Sequence, residues 1–573
     1  MSYKQKIQSE IKKVLNGSID NVSLERTKTK DHGDVATNIA MVLAKEQKRN
    51  PLDIANEIKS KIKTDIGLIS HIEIAKPGFI NIAVADYALA ESLVETFHET
   101  SLPGEHYGFA PQKSREKILV EFVSANPTGD LHIGHGRQAV IGSSLVNLLK
   151  ASGYDVTGEF YVNDHGEQIS NLSNTAWAIY QNIKGEKIEW KEEYYPEAIV
   201  SPYVKKIVET CHGKPSDDFT KESLGGMVKD LILKSQKTLL SLCKVDFNKW
   251  FSETDLHKSG AAGNVLKKLK ETNYVYDHEG AIWFKAKEFG DVRDRVLIRS
   301  DGRPTYLLAD IAYHIDKFKR SDYLITIWGA DHHGQEVSLK GALKALGYDE
   351  SKLEIVFVQL VSLKQEGQEV KMSKRTGTVV TIEEVLNEVG VDAFRYFLIE
   401  SHPNHRMVFD LDLAKKQDKD NPVYYVQYAH ARCCSIFRQL TQEKISKEDK
   451  KIIPPDIDKE SLKDLHKSFL DSPNIFMSLF QTNNQEYDVT KALILRILDF
   501  PEEVLQSAAS RSPNRIANYL KDLASDFHQF YTVCRVISKD INQTKSRLGL
   551  VEATRITIAN GLKILGVTAP EAM

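Results

Sequence analysis

Two pairs of residues carry the chemistry this sequence advertises. The first is His132 and His135 in "EFVSANPTGDLHIGHGRQAV", Glu121 to Val140. An apolar run ends in a polar turn, and two imidazoles three positions apart open the next apolar stretch. Backbone N–H groups at a helix start face an anion, and the helix dipole favours negative charge there. Gly129, Gly134 and Gly136 let backbone and ligand approach closely. Imidazole N–H groups can donate to phosphate oxygens as charge builds in a transition state. The second pair is Lys371 and Lys374 in "GQEVKMSKRTGTVV", Gly367 to Val380. Two ammonium groups in a glycine-flanked loop can clamp a triphosphate and close on it. Each signal alone has a plainer reading. H-x-x-H also marks ordinary helix starts, and a basic turn is commonly just solvated. H-x-x-H is a metal-ligand spacing too, but no carboxylate or cysteine completes a set nearby.

These residues need elements to position them, and the 573-residue chain is long enough for several domains with buried cores. Net charge is −3, so a nucleic-acid partner would have to be met by local patches rather than a global basic field. Cys211, Cys243, Cys433, Cys434 and Cys534 form no C-x-x-C pair. No zinc site or disulfide framework is expected, which fits a reducing compartment. The polar N-terminus and the absence of a long apolar run lead us to expect a cytoplasmic protein that does not enter a membrane.

Residues 1–113 read as a small α+β module. "DHGDVATNIAMVLAKEQ" reads as a capped amphipathic helix, and "HIEIAKPGFINIAV" as two strands around Pro77-Gly78. From residue 114 strands and helices alternate: "ILVEFVSA", a helix from about His135 to Ala151, "DVTGEFYVND", a helix after Gly166, "DYLITIWGADHHG" and "LEIVFVQLVSL". This predicts an α/β fold, a doubly wound Rossmann-type sheet over 114–390. Long amphipathic helices between about 190 and 289 read as an insertion into it. "TIEEVLNEVG" opens with a capping box, Thr381 and Glu384, and ends on Gly390. From 391 to 573 the pattern is all-helical.

The two motifs together, at opposite ends of one α/β domain, are the signature of class I aminoacyl-tRNA synthetases. "VEFVSANPTGDLHIGHGR", "YVNDHGEQI", "PTYLLADIAYHIDKF", "VDAFRYFL", "NPVYYVQYAHAR" and "ILGVTAPEAM" narrow this: nearly the whole chain resembles the bacterial-type arginyl-tRNA synthetases.

The resemblance implies activation of L-arginine with ATP and transfer to tRNA(Arg), by positioning and charge stabilisation rather than covalent catalysis. It implies that Thr128, Gly129, His132, Gly134, His135, Lys371, Met372, Ser373 and Lys374 contact ATP, with the two His and two Lys as the catalytic groups. Mg²⁺ would accompany ATP, held mainly by phosphate oxygens and water. Arg375 stands where the class pattern has Ser. Glu121, Ser124, Asn126, Tyr306 and Asp310 would surround arginine, since a guanidinium is a rigid fork of donors that seeks carboxylates. Asp164 and Gln168 either line this region or support it from behind. The N-terminal module would contact the tRNA elbow through Phe79 and Asn81, unless these are simply part of a strand pair. The helical C-terminal part would bind the anticodon, with Tyr428, Arg432, Arg535 and Arg547 among its aromatic and basic residues. The family is usually monomeric. A cysteinyl-type synthetase would require a zinc set, and tRNA-independent nucleotidyltransferases with an H-x-G-H turn are much shorter.

Overall fold

A computed structural model describes residues 2–16, 22–27, 32–64, 67–98, 106–112, 116–210, 219–370, 380–441 and 474–573. Its centre is a parallel sheet of five strands: β1 (Lys117–Glu121), β2 (Asp155–Val162), β3 (Lys249–Ser252), β4 (Tyr323–Gly329) and β5 (Leu353–Val358). The spatial order is β5-β4-β1-β2-β3. β1 starts both arms, so the topological switch point, where such sheets bind ligands, lies at its carboxyl end. Glu121 is the last residue of β1 and stands in register with Thr326 of β4 and Glu159 of β2.

The helices around the sheet follow from their sequences. α1 (Ile133–Ala151) is largely buried, α2 (Glu167–Ile183) begins after Gly166 at φ 87°, and α3 (Lys221–Leu242) starts on a Thr220 cap. α4 (Tyr306–Arg320) crosses the sheet with Tyr313, Lys317 and Arg320 facing Glu121 and Glu159. α5 (Ile382–Ile399) has the expected Thr381–Glu384 capping box. Gly390 breaks its helical geometry at φ 75°, but helix resumes to Ile399.

The stretch 190–289 does more than interrupt the sheet: its residues Lys249–Ser252 are the edge strand β3. It also holds Val275–His278 and Ala281–Phe284, which pair with Arg295–Ile298 in an antiparallel meander. "LEIVFVQLVSL" is two strands, β5 and Val361–Gln365. Val361–Gln365 pairs with Gln368–Val370 and with Met407–Asp410, so strand structure reappears past residue 390.

In the N-terminal module a four-stranded antiparallel sheet contains the hairpin Ile69–Ala75/Phe79–Val84 that the Pro-Gly turn predicts. "DHGDVATNIAMVLAKEQ" is not one capped helix. Val35–Thr37 is a strand, and the Asn38 side chain makes no cap at the helix Ile39–Gln47; the Thr37 hydroxyl accepts from the Ile39 N–H instead. The module docks on the C-terminal helix Asn484–Ala509. Lys4 meets Asp499 at 2.7 Å, Lys491 meets Asp34 at 2.9 Å and the Tyr487 hydroxyl donates to Asp86 at 2.8 Å.

Arg395 joins the catalytic sheet to the C-terminal helices. Its guanidinium is buried and donates to the carbonyls of Leu565, Cys243 and Lys244 and to the hydroxyls of Ser143 and Ser144. The Leu565 carbonyl ends the helix Ile541–Leu565 and Cys243 caps the C-terminus of α3, and a cation is favoured at such helix ends by the dipole. A Cβ on Gly566 would strike this guanidinium at 2.5 Å. Burial pushes Arg395 down to about 10 without discharging it near neutral pH. Arg395→Met is expected to destabilise the protein by about 1–3 kcal/mol, the range for leaving a buried acceptor without its donor. The check is the thermal unfolding midpoint; an unchanged midpoint would mean that water replaces the guanidinium at no cost.

Candidate active site

The turn after β1 is strained. Val123 and Ser124 take left-handed φ values of 71° and 47°. For β-branched Val123 that backbone is disfavoured, and such strain persists only where its surroundings over-determine it. Here they do. The Ser124 hydroxyl donates to Glu121 Oε1 at 2.8 Å and accepts from the Tyr161 N–H at 3.3 Å. The Ser124 carbonyl accepts from Asn163 Nδ2 at 2.9 Å. Asn126 donates through its amide to Gln168. Buried Gln236 of α3 donates to the carbonyls of Asn126 and Gly129 at 3.0 and 2.9 Å. The Thr128 side chain meets Tyr195.

His132 is the cap of α1. Its Nδ1 accepts from the N–H groups of Gly134 and His135 at 3.1 and 3.4 Å, while His135 Nδ1 accepts from the His132 N–H at 3.4 Å. The rings stack with centroids 3.7 Å apart. Both Nδ1 atoms are acceptors, so each ring in its neutral form carries its proton on Nε2. This corrects the expectation that open backbone N–H groups meet the anion. The first-turn N–H groups are already bonded: Ile133 to the Val380 carbonyl, Gly134 and His135 to His132 Nδ1, and Gly136 to the His132 carbonyl. Two of the glycines also have a role within the fold. A Cβ at Gly136 would strike Phe394 at 2.8 Å, and one at Gly134 the His132 ring at 2.9 Å, so packing and ring placement require glycine there as well. Arg137, which follows, is fully buried and donates to the carbonyls of Gln359, His402 and His405. Burial pushes its guanidinium down to about 10.

Lys371, Met372, Ser373 and Lys374 lie outside the described residues. Their flanks are within them. Gln368–Val370 ends the hairpin with Val361–Gln365, and after the gap Thr381 bridges His132 while the Ile382 N–H donates to the Leu131 carbonyl at 2.9 Å. The far end of the lysine segment is therefore stitched to the histidine turn.

At the end of β1 lies a cluster of carboxylates. Glu121 Oε2 is 2.7 Å from buried Lys317 Nζ. Tyr306, at the first position of α4, is 62% exposed. Asp310 follows one turn later, and burial, then Glu121 and Glu253, push its carboxyl up to about 7. Glu253 begins the short helix after β3; burial and the neighbouring Asp164 push it up to about 7, against a hydrogen bond with Tyr161. Tyr161 is packed against Tyr313 with ring centroids 4.5 Å apart, and burial raises its phenol. Asp164 acts as a brace. Its carboxylate accepts from the Ser252 hydroxyl at 2.9 Å and the Thr254 N–H at 2.8 Å, so it ties β2 to the segment bearing Glu253. Glu253, Lys317, Tyr161, Gln236 and Arg137 were not singled out from sequence. Among the described residues no group of three or more His, Cys, Asp or Glu side chains is arranged to hold a metal ion.

The RNA-facing candidates divide. Phe79 is 39% exposed, but Asn81 is 4% exposed, and its Nδ2 has no hydrogen-bond partner among the described residues. Arg432 lies over the Tyr531 ring at 4.2 Å and the Tyr428 ring at 5.4 Å on the surface of the helix Pro422–Thr441, and Arg535 is exposed. Arg547 is 3% exposed and bonded to Glu486 and the Arg535 carbonyl at 2.7 and 2.6 Å. It braces helices and presents no charge to a partner, contrary to the sequence expectation.

Residues 102–420 match the profile described as "tRNA synthetases class I (R), catalytic domain". The chain belongs to the arginyl-tRNA synthetases of class I. Residues 1–84 match the arginyl tRNA synthetase N terminal domain, and 478–573 the DALR anticodon binding domain. An arginine–tRNA ligase from Staphylococcus epidermidis is 40% identical over 575 aligned positions, covering 99% of this chain and 98% of the relative. One from Carboxydothermus hydrogenoformans is 42% identical, covering 96% and 94%. The Thermus thermophilus arginyl-tRNA synthetase superposes with a TM-score of 0.74 over 99% of this chain and all of that one, at 22% identity, and shares the fold. In this synthetase, then, the carboxylate cluster gathers at the end of β1, and the histidine turn follows in the chain that leaves it.

Proposed function

We propose that the protein is an arginine–tRNA ligase that acts in two steps. The carboxylate of L-arginine attacks the α-phosphate of ATP and pyrophosphate leaves. The arginyl group then passes from the adenylate to the 2′-hydroxyl of the terminal adenosine of tRNA(Arg). The observation that carries this reading is that β1 ends on Glu121, which interacts with Asp310 and Glu253, and that the chain leaving β1 runs directly into the stacked His132–His135 pair at the start of α1. The carboxylates suit a guanidinium, and the imidazole Nε2–H groups suit phosphate oxygens. Lys371 and Lys374 neutralise the departing pyrophosphate. Thr128, Gly129, Gly134, Met372 and Ser373 complete the ATP site, and Ser124, Asn126, Gln168 and Tyr306 complete the arginine site. Asp164 supports it from behind. Mg²⁺ enters on the phosphates of ATP, with oxygen and water ligands.

Residues 1–113 and 391–573 flank the catalytic region 114–390 and hold the tRNA, the first through Phe79 and the second through Tyr428, Arg432 and Arg535. The enzyme works as a monomer in the cytoplasm; among the described residues no helix is long and apolar enough to cross a membrane. The test is charging of total tRNA with each radiolabelled amino acid in turn. Arginine alone should become acid-precipitable, and equal charging by another amino acid would defeat the reading.

Tyr428→Ala is expected to lower kcat/KM for tRNA by about 1–3 kcal/mol, the scale for one stacked base. Arg547→Ala should instead lower the melting temperature and leave kcat/KM for tRNA within a few-fold of wild type at a temperature where the variant is folded. Reversal of these two patterns in steady-state charging would exchange their roles.

A further inference from the structure

The helix that carries Tyr306 and Asp310 also carries a buried lysine, Lys317, that the proposed reaction does not use. Asp310, His314 and Lys317 follow one another on α4 at spacings of four and three residues, so they share a face. Lys317 is 0% exposed. Its ammonium donates to Glu121 Oε2 at 2.7 Å and to Thr326 Oγ1 at 2.9 Å, and lies 3.0 Å from His314 Nε2. His314 Nδ1 is 2.8 Å from the Asp310 carbonyl oxygen, so Nδ1 carries the ring proton and Nε2 turns its lone pair toward the ammonium. All three ammonium N–H bonds are thereby met, and the Tyr313 ring covers the charge at 4.5 Å. Lysine is almost never this deeply buried without a paired charge. The pair also fixes Glu121 from both sides, because Ser124 holds its other oxygen.

We propose that Lys317 is a positioning residue of the arginine pocket, a built-in cation that holds Glu121 in place and sets the charge the pocket presents to substrate. This rests on the reading that Glu121, Asp310 and Glu253 receive arginine. The charged and titratable groups around it come from every wall. β1 supplies Glu121, β2 supplies Tyr161, and the turn after β2 supplies Asp164, with Lys229 of α3 3.8 Å from it. The segment after β3 supplies Glu253, whose oxygen is 3.6 Å from His257 Nε2. α4 itself supplies Asp310, Tyr313 and His314. Three carboxylates without a counter-charge would repel one another, and protonation would relieve the repulsion. With Lys317 bonded to Glu121, one carboxylate already has its partner inside the protein, and the remaining negative charge is left to the guanidinium.

The sign of the pH dependence follows. Asp310 and Glu253 are already pushed up to about 7. Arginine needs them ionised, so KM for arginine should fall as pH rises through neutrality. Loss of the Lys317 charge should raise that midpoint by about 1–3 pH units, the usual effect of one close opposite charge. Loss of the Glu121 charge, with Lys317 kept, should lower it.

The experiment measures KM for arginine from about pH 6 to about pH 9 in wild type, Lys317→Met, Glu121→Gln and the double variant. The expected result is a midpoint displaced upward in Lys317→Met, downward in Glu121→Gln, and returned close to wild type in the double variant, whose neutral pair leaves no lone charge. If Lys317→Met does not fold, the downward displacement in Glu121→Gln and its reversal in the double variant still decide. A pH-independent rise in KM, with the midpoint unmoved in an active enzyme, would mark Lys317 as purely structural and overturn the proposal alone. Absence of arginine-dependent charging in wild type would overturn the functional reading and this proposal with it.

Discussion

Lys374→Ala is expected to slow arginine-dependent pyrophosphate exchange by about 10²–10³-fold while leaving arginine affinity nearly unchanged. That is the scale for losing one charge partner of a transition state. The residues proposed for arginine and those proposed for the phosphates are separate groups. Glu121, Glu253 and Asp310 gather under α4, whereas His132 and His135 cap α1. Lys374 belongs to the segment whose far flank, Val380 to Ile382, is hydrogen-bonded to Leu131 and Ile133. That stitching holds Val380 to Ile382 beside the histidine turn, where we propose that the phosphates bind. A charge there is felt as the bond to pyrophosphate breaks, when negative charge accumulates on the leaving group. The measurement is exchange kinetics at saturating and subsaturating arginine in the presence of tRNA. A defect confined to KM for arginine, with kcat preserved, would move Lys374 out of the phosphate site.

What could be read from the sequence was local. The turn "SANPTGDLHIGHG" announces a strand end and a helix start within a few residues; the helix starts close to where the pattern puts it, whereas the strand stops at Glu121, before the left-handed Val123 and Ser124, rather than running on to Ala125. The Thr381–Glu384 box and the Pro77-Gly78 hairpin are equally short-range. What was missed depends on distance along the chain. β3 is four residues long, too short to show a period, and it is a strand only because it pairs with Phe160 and its neighbours some 90 residues earlier. Glu253 enters the pocket only because that strand ends beside it. Lys317 stands at helical spacing from Asp310, which the sequence displays, but its partner Glu121 is 196 residues away. Arg547 shows the converse error. Composition counts its charge, whereas burial against Glu486 removes that charge from the surface. The helix N-terminus misled in another way: a free anion site was expected, and the His132 side chain had already filled it.

Asp310→Asn is expected to cost about 2–5 kcal/mol of arginine recognition, the range for truncating one member of a buried charge pair. It should raise KM for arginine and narrow discrimination against citrulline, which is nearly isosteric but neutral. The structure adds a second expectation of opposite sign for stability. No protein donor among the described residues pairs with the Asp310 carboxylate, and burial followed by Glu121 and Glu253 pushes it from 3.8 up to about 7. A carboxyl whose folded value lies above its unfolded value binds its proton more tightly when folded. It therefore destabilises the fold progressively as pH rises from about 4 to about 7, and the cost is complete above that. An amide carries no such cost. The arginine-free Asp310→Asn protein should thus melt at a higher temperature than wild type at about pH 8, and the two should converge near pH 4 if both stay folded there. Saturating arginine should reverse the order, because only wild type gains the guanidinium. Residues that hold a substrate charge in a dry pocket are commonly ones the empty fold would be better without. The two readouts are charging kinetics with citrulline as inhibitor, and melting curves with and without arginine. An Asp310→Asn protein that keeps the wild-type KM and selectivity, and that melts like wild type at every pH, would show that another carboxylate reads the guanidinium. Glu253 would be the next to test, since it shares the pocket, the burial and the raised proton affinity.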